Sequence, residues 1–192
     1  MEIRQRIISA CRQLAYSKGF RNITVDEIAQ NAGVSKRTVY RRFQSKDEIL
    51  EATIDDFLQD VGGESDQLLN SGQDIQIIIY KIINYVIAGR KSIMSQRVME
   101  DLNQYYPHLW QKINDFRMER IKTMIAMAES QRAFNSQINP LILSTIISVS
   151  IEEVVNPEFI IKNNLNFEEV IAQVIAVFMP ALSSSPSIPD LE

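Results

Sequence analysis

Side chains that can donate hydrogen bonds cluster near residue 40 of this 192-residue chain. They are Lys36, Arg37, Tyr40 and Arg41, and their spacing of i, i+1, i+4 and i+5 puts them on one side of an α-helix. Lysine and arginine pair with phosphates, and arginine also matches the acceptor edge of guanine. The cluster therefore favours binding of DNA over bond-breaking chemistry.

The sequence offers few residues that could support catalysis or bind a metal. One cysteine, Cys11, and one histidine, His108, provide neither a familiar nucleophile–base pair nor a zinc ligand set. Cys11 falls on the apolar side of a predicted helix, where a thiol usually packs as a small hydrophobe. His108 follows Pro107 at a predicted helix start, which suits a surface or capping residue. We expect no catalytic residue, no metal site and no cofactor.

A short helix beginning at Ser35 must hold the basic side chains. Thr24 and Glu27 have the spacing of a capping box that starts the preceding helix, and Gly33 permits the positive φ of a tight turn. Ser35 is a typical N-cap, and its helix should run to about Phe43. Residues 24–43 therefore predict a helix-turn-helix. The apolar side chains expected to pack inward from its second helix are Val34, Val39 and Phe43.

Charge is distributed unevenly along the chain, whose formal net charge is −4. Residues 1–50 hold ten Lys/Arg against five Asp/Glu, and the remainder holds ten against nineteen. A basic head displaces counterions from phosphates, while the duplex repels an acidic body. On charge alone, a solvated surface without a nucleic-acid partner stays an alternative.

Helical periodicity and capping signals continue along the chain without a convincing strand, so we expect an all-α fold. The first helix should end at Lys18-Gly19, and the fourth should run from a capping box at Ser45 and Glu48 through Leu58. The remaining expected elements are loops at 62–65 and 70–72 and helices near 74–89, 92–104, 107–131, 140–155 and 166–179.

Residues 7–50 resemble the TetR family of one-component regulators. The matching stretches are 15–20, 24–29, 32–43 and 45–50, about a quarter of the chain, and the rest matches only in being helical and of the right length. The resemblance implies an N-terminal three-helix DNA-binding domain with a helix-turn-helix over residues 1–48. A larger C-terminal helical bundle for ligand sensing and dimerisation would occupy residues 49–182.

The resemblance also implies roles in DNA binding. The family residues that match Thr24 and Lys46 lie at helix N-termini and meet phosphates, where free backbone N–H groups favour anions. The tyrosine that matches Tyr40 commonly contacts the DNA backbone too. Arg42 lies toward the rim, where surface solvation or at most a phosphate contact is expected. The candidates for base readout are Lys36, Arg37, Thr38 and Arg41, and Ser35, which caps their helix, is the remaining DNA-binding candidate.

Two apolar helices near the C-terminus predict association with a second copy. The helix near 140–155 carries apolar residues on nearly every side and should be buried all round, and Ser144 and Ser148 allow close approach of another helix. With the helix near 166–179 it could form a four-helix bundle across a two-fold axis, as the resemblance also implies. Such a homodimer would read a palindromic or near-palindromic DNA operator. The alternative is that both helices close a monomeric core.

The resemblance further implies an effector cavity in the middle of the body. Aromatic and methionine side chains crowd the middle helices, and such side chains line adaptable pockets as well as ordinary cores. Arg117 falls among apolar residues and needs a partner, which is Glu100, Asp101 or the acidic group of a ligand. The candidate contacts to an unidentified small-molecule effector are Met99, Tyr106, Trp110, Arg117, Ile121 and Met124.

These patterns leave three functions to weigh. A repressor released from its operator by a small molecule fits both the helix-turn-helix and the large helical body. A regulator or activator that does not respond to a small molecule is the alternative, and a helical enzyme lacks any catalytic signature. No secretory signal pattern or membrane-length apolar stretch is present, so we expect a cytoplasmic location away from membranes. Residues 183–192 should form a mobile tail.

Overall fold

The computed structural model describes residues 2–89, 94–134 and 138–182. Every regular element in these ranges is a helix, which confirms the predicted all-α class. The predicted tail, 183–192, lies outside the described residues. The helices are α1 (Ile3–Lys18), α2 (Val25–Ala32), α3 (Lys36–Tyr40), α4 (Lys46–Leu69), α5 (Ile75–Gly89), α6 (Gln96–Gln104), α7 (Pro107–Ser130), α8 (Pro140–Val154), α9 (Pro157–Lys162) and α10 (Phe167–Phe178), followed by a 3-10 turn at Met179–Leu182.

One compact unit comprises Met1–Gly63 and Tyr85–Ile113. It contains α1, α2, α3 and most of α4, whose apolar faces bury one another because each helix alone exposes an apolar stripe. Cys11 is buried within it, and burial raises the pKa of the thiol to about 11, so the side chain packs as an uncharged hydrophobe. The largest side chains of this core include Ile7, Ile8, Phe20, Ile28, Phe43, Ile49, Leu50 and Ile54.

Helix α4 is longer than the sequence predicts. The glycine pair at 62–63 favoured a loop, yet α4 continues to Leu69. The buried side chains Leu58, Val61 and Ser65 recur at helical spacing on either side of the pair. Burial of Leu58 and Val61 therefore offsets the cost of the two mid-helix glycines, each about 1 kcal/mol relative to alanine.

The second compact unit comprises Glu64–Asn84 and Asn114–Glu192. Side chains from α5, α7 and α8 fill its core. Ile78 is completely buried, and Ile121, Leu143 and Ile147 lie against the same cluster. Partly buried methionines pack at the edge of this cluster, where an unbranched side chain fills irregular space.

The predicted burial of helix α8 on every side is wrong for the single chain. Leu143 and Ile147 point into the core, whereas Leu141 is 73% exposed and Val149 is 53% exposed. Ile142 and Ile146 are exposed as well. On α10, Val177 is 66% exposed. One face of α8 is therefore apolar and is not covered by the described residues of the chain.

Capping explains most of the remaining helix boundaries. The amide oxygen of Asn139 accepts a 2.9 Å hydrogen bond from the Leu141 N–H, with Pro140 in the first turn as predicted. Asn166 caps α10 in the same way. The short helix α9 was not predicted, although Asn156 and Pro157 are the same pair of signals that start α8. No helix in the described ranges is both long and apolar enough to cross a membrane.

Candidate nucleic-acid interface

The first helix of the predicted helix-turn-helix starts with a complete capping box. The hydroxyl of Thr24 accepts from the Glu27 N–H at 3.2 Å, and the Glu27 carboxylate accepts from the Thr24 N–H at 3.0 Å. Glu27 also pairs with Lys18 of α1. The hydrogen bonds from Lys18 and Thr24 lower the pKa of Glu27 to about 2. Thr24 is exposed at this helix end, so its surroundings are accessible to an anion.

The turn between α2 and α3 depends on Gly33. Its φ of 64° lies in the left-handed region, and a Cβ there would come within 2.8 Å of the Arg6 guanidinium. Arg6 reaches from α1 and donates to the carbonyl of Ala32 at 2.6 Å and that of Gly33 at 3.1 Å. The guanidinium thus caps the end of α2 and holds the turn that sets the direction of α3.

Helix α3 presents the predicted basic cluster to solvent. Ser35 caps it by accepting from the Thr38 N–H at 3.1 Å, and the completely buried Val39 anchors its inner face. Tyr40 is 49% exposed, and the Arg37 side chain is exposed too. The exposed charged side chains of α3 and the turn after it with no ion pair in the described part of the chain are Arg37, Arg41 and Arg42.

The helix itself is shorter than predicted. It ends at Tyr40 rather than near Phe43, because the chain must turn before Ser45 caps α4. Phe43 is nevertheless buried, as expected, and the Arg4 guanidinium lies 5.3 Å from the centre of its ring. Val34 is only half-buried.

Lys36 differs from the neighbouring arginines because it forms an ion pair with a carboxylate. Its ammonium donates to Asp26 of α2 at 2.8 Å, and this hydrogen bond raises the pKa of Lys36. Asp26 is the kind of residue that sequence reasoning missed. Asp26 received no predicted role from the sequence, because a carboxylate two residues after an N-cap is ordinarily explained by the helix dipole alone.

Lys46 lies at the start of α4 and is already engaged. Its ammonium donates to the backbone carbonyl of Arg21 at 2.7 Å, and partial burial lowers its pKa. The side chain is only half-exposed, unlike those of Lys36 and Arg37. The structure therefore places Lys46 at a helix N-terminus, as predicted, with one of its three N–H bonds committed to the turn between α1 and α2.

Three candidates for effector contact belong to the first compact unit. Met99 is completely buried. The ring of Tyr106 packs edge-on against Phe20, with ring centres 6.3 Å apart, and burial raises the pKa of its hydroxyl. Trp110 is half-buried. Met99 and Tyr106 thus contribute to the packing of the unit itself.

The other three candidates belong to the second unit. Ile121 is part of its core cluster, and Met124 packs against that cluster. Arg117 is buried enough for its pKa to fall to about 10. The sequence left Glu100, Asp101 or the acidic group of a ligand as its partner, whereas its described hydrogen bonds go to the carbonyl of Val155 and the side chain of Asn114.

The N-terminal part of the chain matches a known family. Residues 7–53 match the model described as "Bacterial regulatory proteins, tetR family". This range contains the whole helix-turn-helix and every DNA-contact candidate described above. Because the match begins in α1 and ends in α4, it coincides with the elements that build and orient α3.

Relatives and solved structures match between two thirds and nearly all of the chain. The chain is 24% identical to the HTH-type transcriptional regulator YvaF of Bacillus subtilis over 94% of its length and 95% of that protein. It is 24% identical to the HTH-type nicotine-responsive transcriptional repressor HdnoR of Paenarthrobacter nicotinovorans, over 67% of this chain and 71% of that protein. The fold is similar to that of FadR from Bacillus subtilis in complex with stearoyl-CoA, with a TM-score of 0.65 and 16% identity over 95% of this chain and 99% of that chain.

Proposed function

This chain belongs to the TetR family of transcriptional regulators, and we propose that it is a repressor that a small-molecule effector releases from its operator. It is a DNA-binding regulator rather than an enzyme. The observation that carries the proposal is the exposed basic surface of α3, where Arg37 and Arg41 have no ion pair in the described part of the chain. Unpaired arginines on a short, anchored helix suit the major groove.

The proposed DNA contacts fall into two kinds. Thr24, Tyr40 and Lys46 would meet phosphates, because Thr24 and Lys46 lie at helix N-termini and the Tyr40 side chain is exposed on α3. Side chains on the exposed part of α3 would meet base edges. The base-readout candidates are Lys36, Arg37, Thr38 and Arg41, presented from the Ser35 cap.

A homodimer through α8 and α10 is the proposed assembly. The exposed apolar face of α8, including Ile142, Ile146 and Val149, supports it, because a monomer seldom leaves such a stripe uncovered. A groove of about 390 Å³ between α7 and α8 adjoins this face, and Ser148 lines it. Two joined heads would bind a palindromic or near-palindromic operator, since the symmetry of the site mirrors that of the protein.

The effector would be an apolar or amphipathic small molecule that binds the body of the protein. One relative is named as nicotine-responsive, and a similarly folded protein was solved with stearoyl-CoA. Six side chains are candidates for contact with the effector, and each can be tested by a single substitution: Met99, Tyr106, Trp110, Arg117, Ile121 and Met124.

We also propose a division of the chain into three parts. Residues 1–48 bind DNA, residues 49–182 sense ligand and dimerise, and residues 183–192 form a tail. The proposed location of the protein is the cytoplasm.

The experiment that tests the proposal begins with selection of bound sequences from a random duplex DNA pool. We expect enrichment of one motif with two symmetric half-sites, and a fall in operator affinity when nicotine or stearoyl-CoA is added at increasing concentration. Failure to enrich any motif would contradict sequence-specific DNA binding. An enriched motif whose binding responds to neither compound, nor to a wider panel of apolar small molecules, would favour a regulator without a small-molecule effector.

A further inference from the structure

The backbone of Arg21 is held from both sides by two different helices. Its N–H donates to the Asp101 carboxylate of α6 at 2.9 Å, and its carbonyl accepts from the Lys46 ammonium of α4 at 2.7 Å. The Arg21 guanidinium lies 4.1 Å from the centre of the Tyr105 ring, at the end of α6. The turn between α1 and α2 is thus fixed at a single residue by groups far away in the sequence.

Asp101 is buried, with 7% of its surface exposed. A buried carboxylate is costly unless hydrogen-bond donors satisfy it, and the Arg21 N–H is such a donor. The adjoining turn is shaped around the carboxylate. Gly19 has φ 73° and ψ 171°, a conformation that only glycine adopts readily, and a Cβ at this residue would overlap Oδ2 of Asp101.

Further contacts join α6 to the same turn. Arg97 donates to the backbone carbonyl of Ser17, and the Phe20 ring meets Tyr106 edge-on. These contacts pack residues on both sides of Asp101 in the sequence against the end of α1 and the turn that follows it. The Asp101 carboxylate is therefore part of a packed junction.

The carbonyl that Arg21 offers to Lys46 has a defined position because the N–H of the same residue is held. An ammonium group has three donors, so one bond to this carbonyl leaves the others for a phosphate. Partial burial limits the freedom of the Lys46 side chain, and fixing a long flexible side chain in advance lowers the entropy lost on binding. The direction of the remaining donors thus depends on the position of the Arg21 backbone.

We propose that Asp101 is a positioning residue for DNA binding, which fixes the Arg21 backbone and thereby orients the Lys46 ammonium toward a phosphate. This inference rests on the proposed phosphate contact of Lys46. Asp101 itself does not touch DNA in this arrangement, because it is buried and its carboxylate would repel phosphates. Its effect on DNA affinity passes through Lys46 and should vanish when Lys46 is removed.

A double-mutant cycle tests the proposal. Binding to random duplex DNA is measured by fluorescence anisotropy over a salt series for the wild type, Lys46→Ala, Asp101→Ala and the double variant, with folding checked by circular dichroism. We expect each single variant to bind several-fold more weakly, with a salt slope lower by about one unit per subunit. The double variant should bind like Lys46→Ala. Glu100→Ala, on the exposed neighbour of Asp101, is the matched control and should change neither quantity.

Two conservative variants keep the test decisive when Asp101→Ala does not fold. Asp101→Asn retains an oxygen that can accept from the Arg21 N–H and should preserve most of the affinity. Asp101→Glu keeps the charge but moves the oxygen by one methylene, so it should lose affinity and salt slope.

The outcomes separate this inference from the proposed function. An unchanged salt slope for Lys46→Ala would mean that Lys46 does not bind phosphate, and the proposed contact would fail. A lower slope for Lys46→Ala with a wild-type slope for the Asp101 variants would overturn the positioning role. Equal losses from Asp101→Ala with and without Lys46 would also overturn it, because they would reveal general structural damage.

Discussion

The Asp26 carboxylate of α2 accepts a hydrogen bond from the Lys36 ammonium of α3 at 2.8 Å. Both side chains are at least half-exposed. An exposed ion pair contributes only about 0–1 kcal/mol, so a phosphate or base edge can compete for the lysine. On the proposed assignment of Lys36 to DNA, Asp26 should weaken the attraction of Lys36 for any DNA and favour release from sequences that offer Lys36 no specific partner.

Asp26→Asn should strengthen binding to random DNA several-fold and steepen its salt dependence by up to about one unit per subunit, because Lys36 becomes free to displace a counterion. The gain on the operator should be smaller, so the ratio of specific to random affinity falls. Fluorescence anisotropy over a salt series measures both quantities. Glu119→Gln makes the same change of charge at an exposed site of α7 and controls for net charge. If Asp26→Asn still strengthens binding when Lys36 is also replaced by alanine, then Asp26 does not act through Lys36.

Arg37→Ala should cost about 1–3 kcal/mol on the operator and relax the base preference at one position of each half-site. The reason is that the Arg37 guanidinium is exposed and has no ion pair in the described part of the chain, which leaves its fork free for a base edge. Arg42→Ala is the matched control, and its effect should be small and independent of sequence. Competition binding with operators altered one base pair at a time makes the measurement. An equal loss on operator and random DNA would assign Arg37 to the DNA backbone and leave readout to Lys36, Thr38 or Arg41.

Ser148→Arg should dissociate the dimer and weaken operator binding together, because both half-sites are engaged only when the two heads are joined. Ser148 lines the groove beside the exposed apolar face of α8, where a long charged side chain would block a second copy. Sedimentation at micromolar concentration measures the mass, and Glu158→Arg at an exposed position of α9 serves as the control. A wild-type protein that sediments at the 22.0 kDa mass of one chain would contradict the dimer itself.

Arg6→Met should lower the free energy of unfolding by about 1 kcal/mol, the usual contribution of a lost hydrogen bond, because two carbonyls at the end of α2 lose their charged donor. Operator affinity should fall by more than affinity for random DNA, since the turn that aims α3 is loosened. Urea unfolding and anisotropy measure the two effects. Arg42→Met provides the control for stability, and equal losses on both kinds of DNA would argue against a role in aiming α3.

Glu27→Gln should alter how stability depends on pH. The folded pKa of Glu27, about 2, lies below its ordinary value of 4.5, so its contribution is fully present above pH 4.5 and is lost as pH falls toward 2. We expect the urea midpoint of the variant to lie below that of the wild type at pH 6, and the difference to shrink as pH drops through this window. Circular dichroism at a series of pH values measures the midpoints. A difference that stays constant between pH 6 and pH 2 would contradict the role of the charged carboxylate.

The sequence by itself determined the elements whose signals lie within a few residues. Thr24, Ser35, Asn139 and Asn166 each cap the helix predicted for them, because a cap is a hydrogen bond between residues two or three apart. The same locality made the helix-turn-helix and its exposed basic face readable. The glycine pair at 62–63 was misleading because the burial of Leu58, Val61 and Ser65 lies outside any local signal.

Only the tertiary structure decided which side chains meet across long stretches of sequence. Asp101 and Arg21 are 80 residues apart, and Lys46 and Arg21 are 25 apart, yet both pairs are hydrogen-bonded. Nothing in the spacing of charges distinguishes Arg37, which stays unpaired among the described residues, from Lys36, which Asp26 holds. Pairing of charged groups depends on distances and burial that arise when helices pack, because Coulomb attraction and desolvation both depend on the surroundings of each atom.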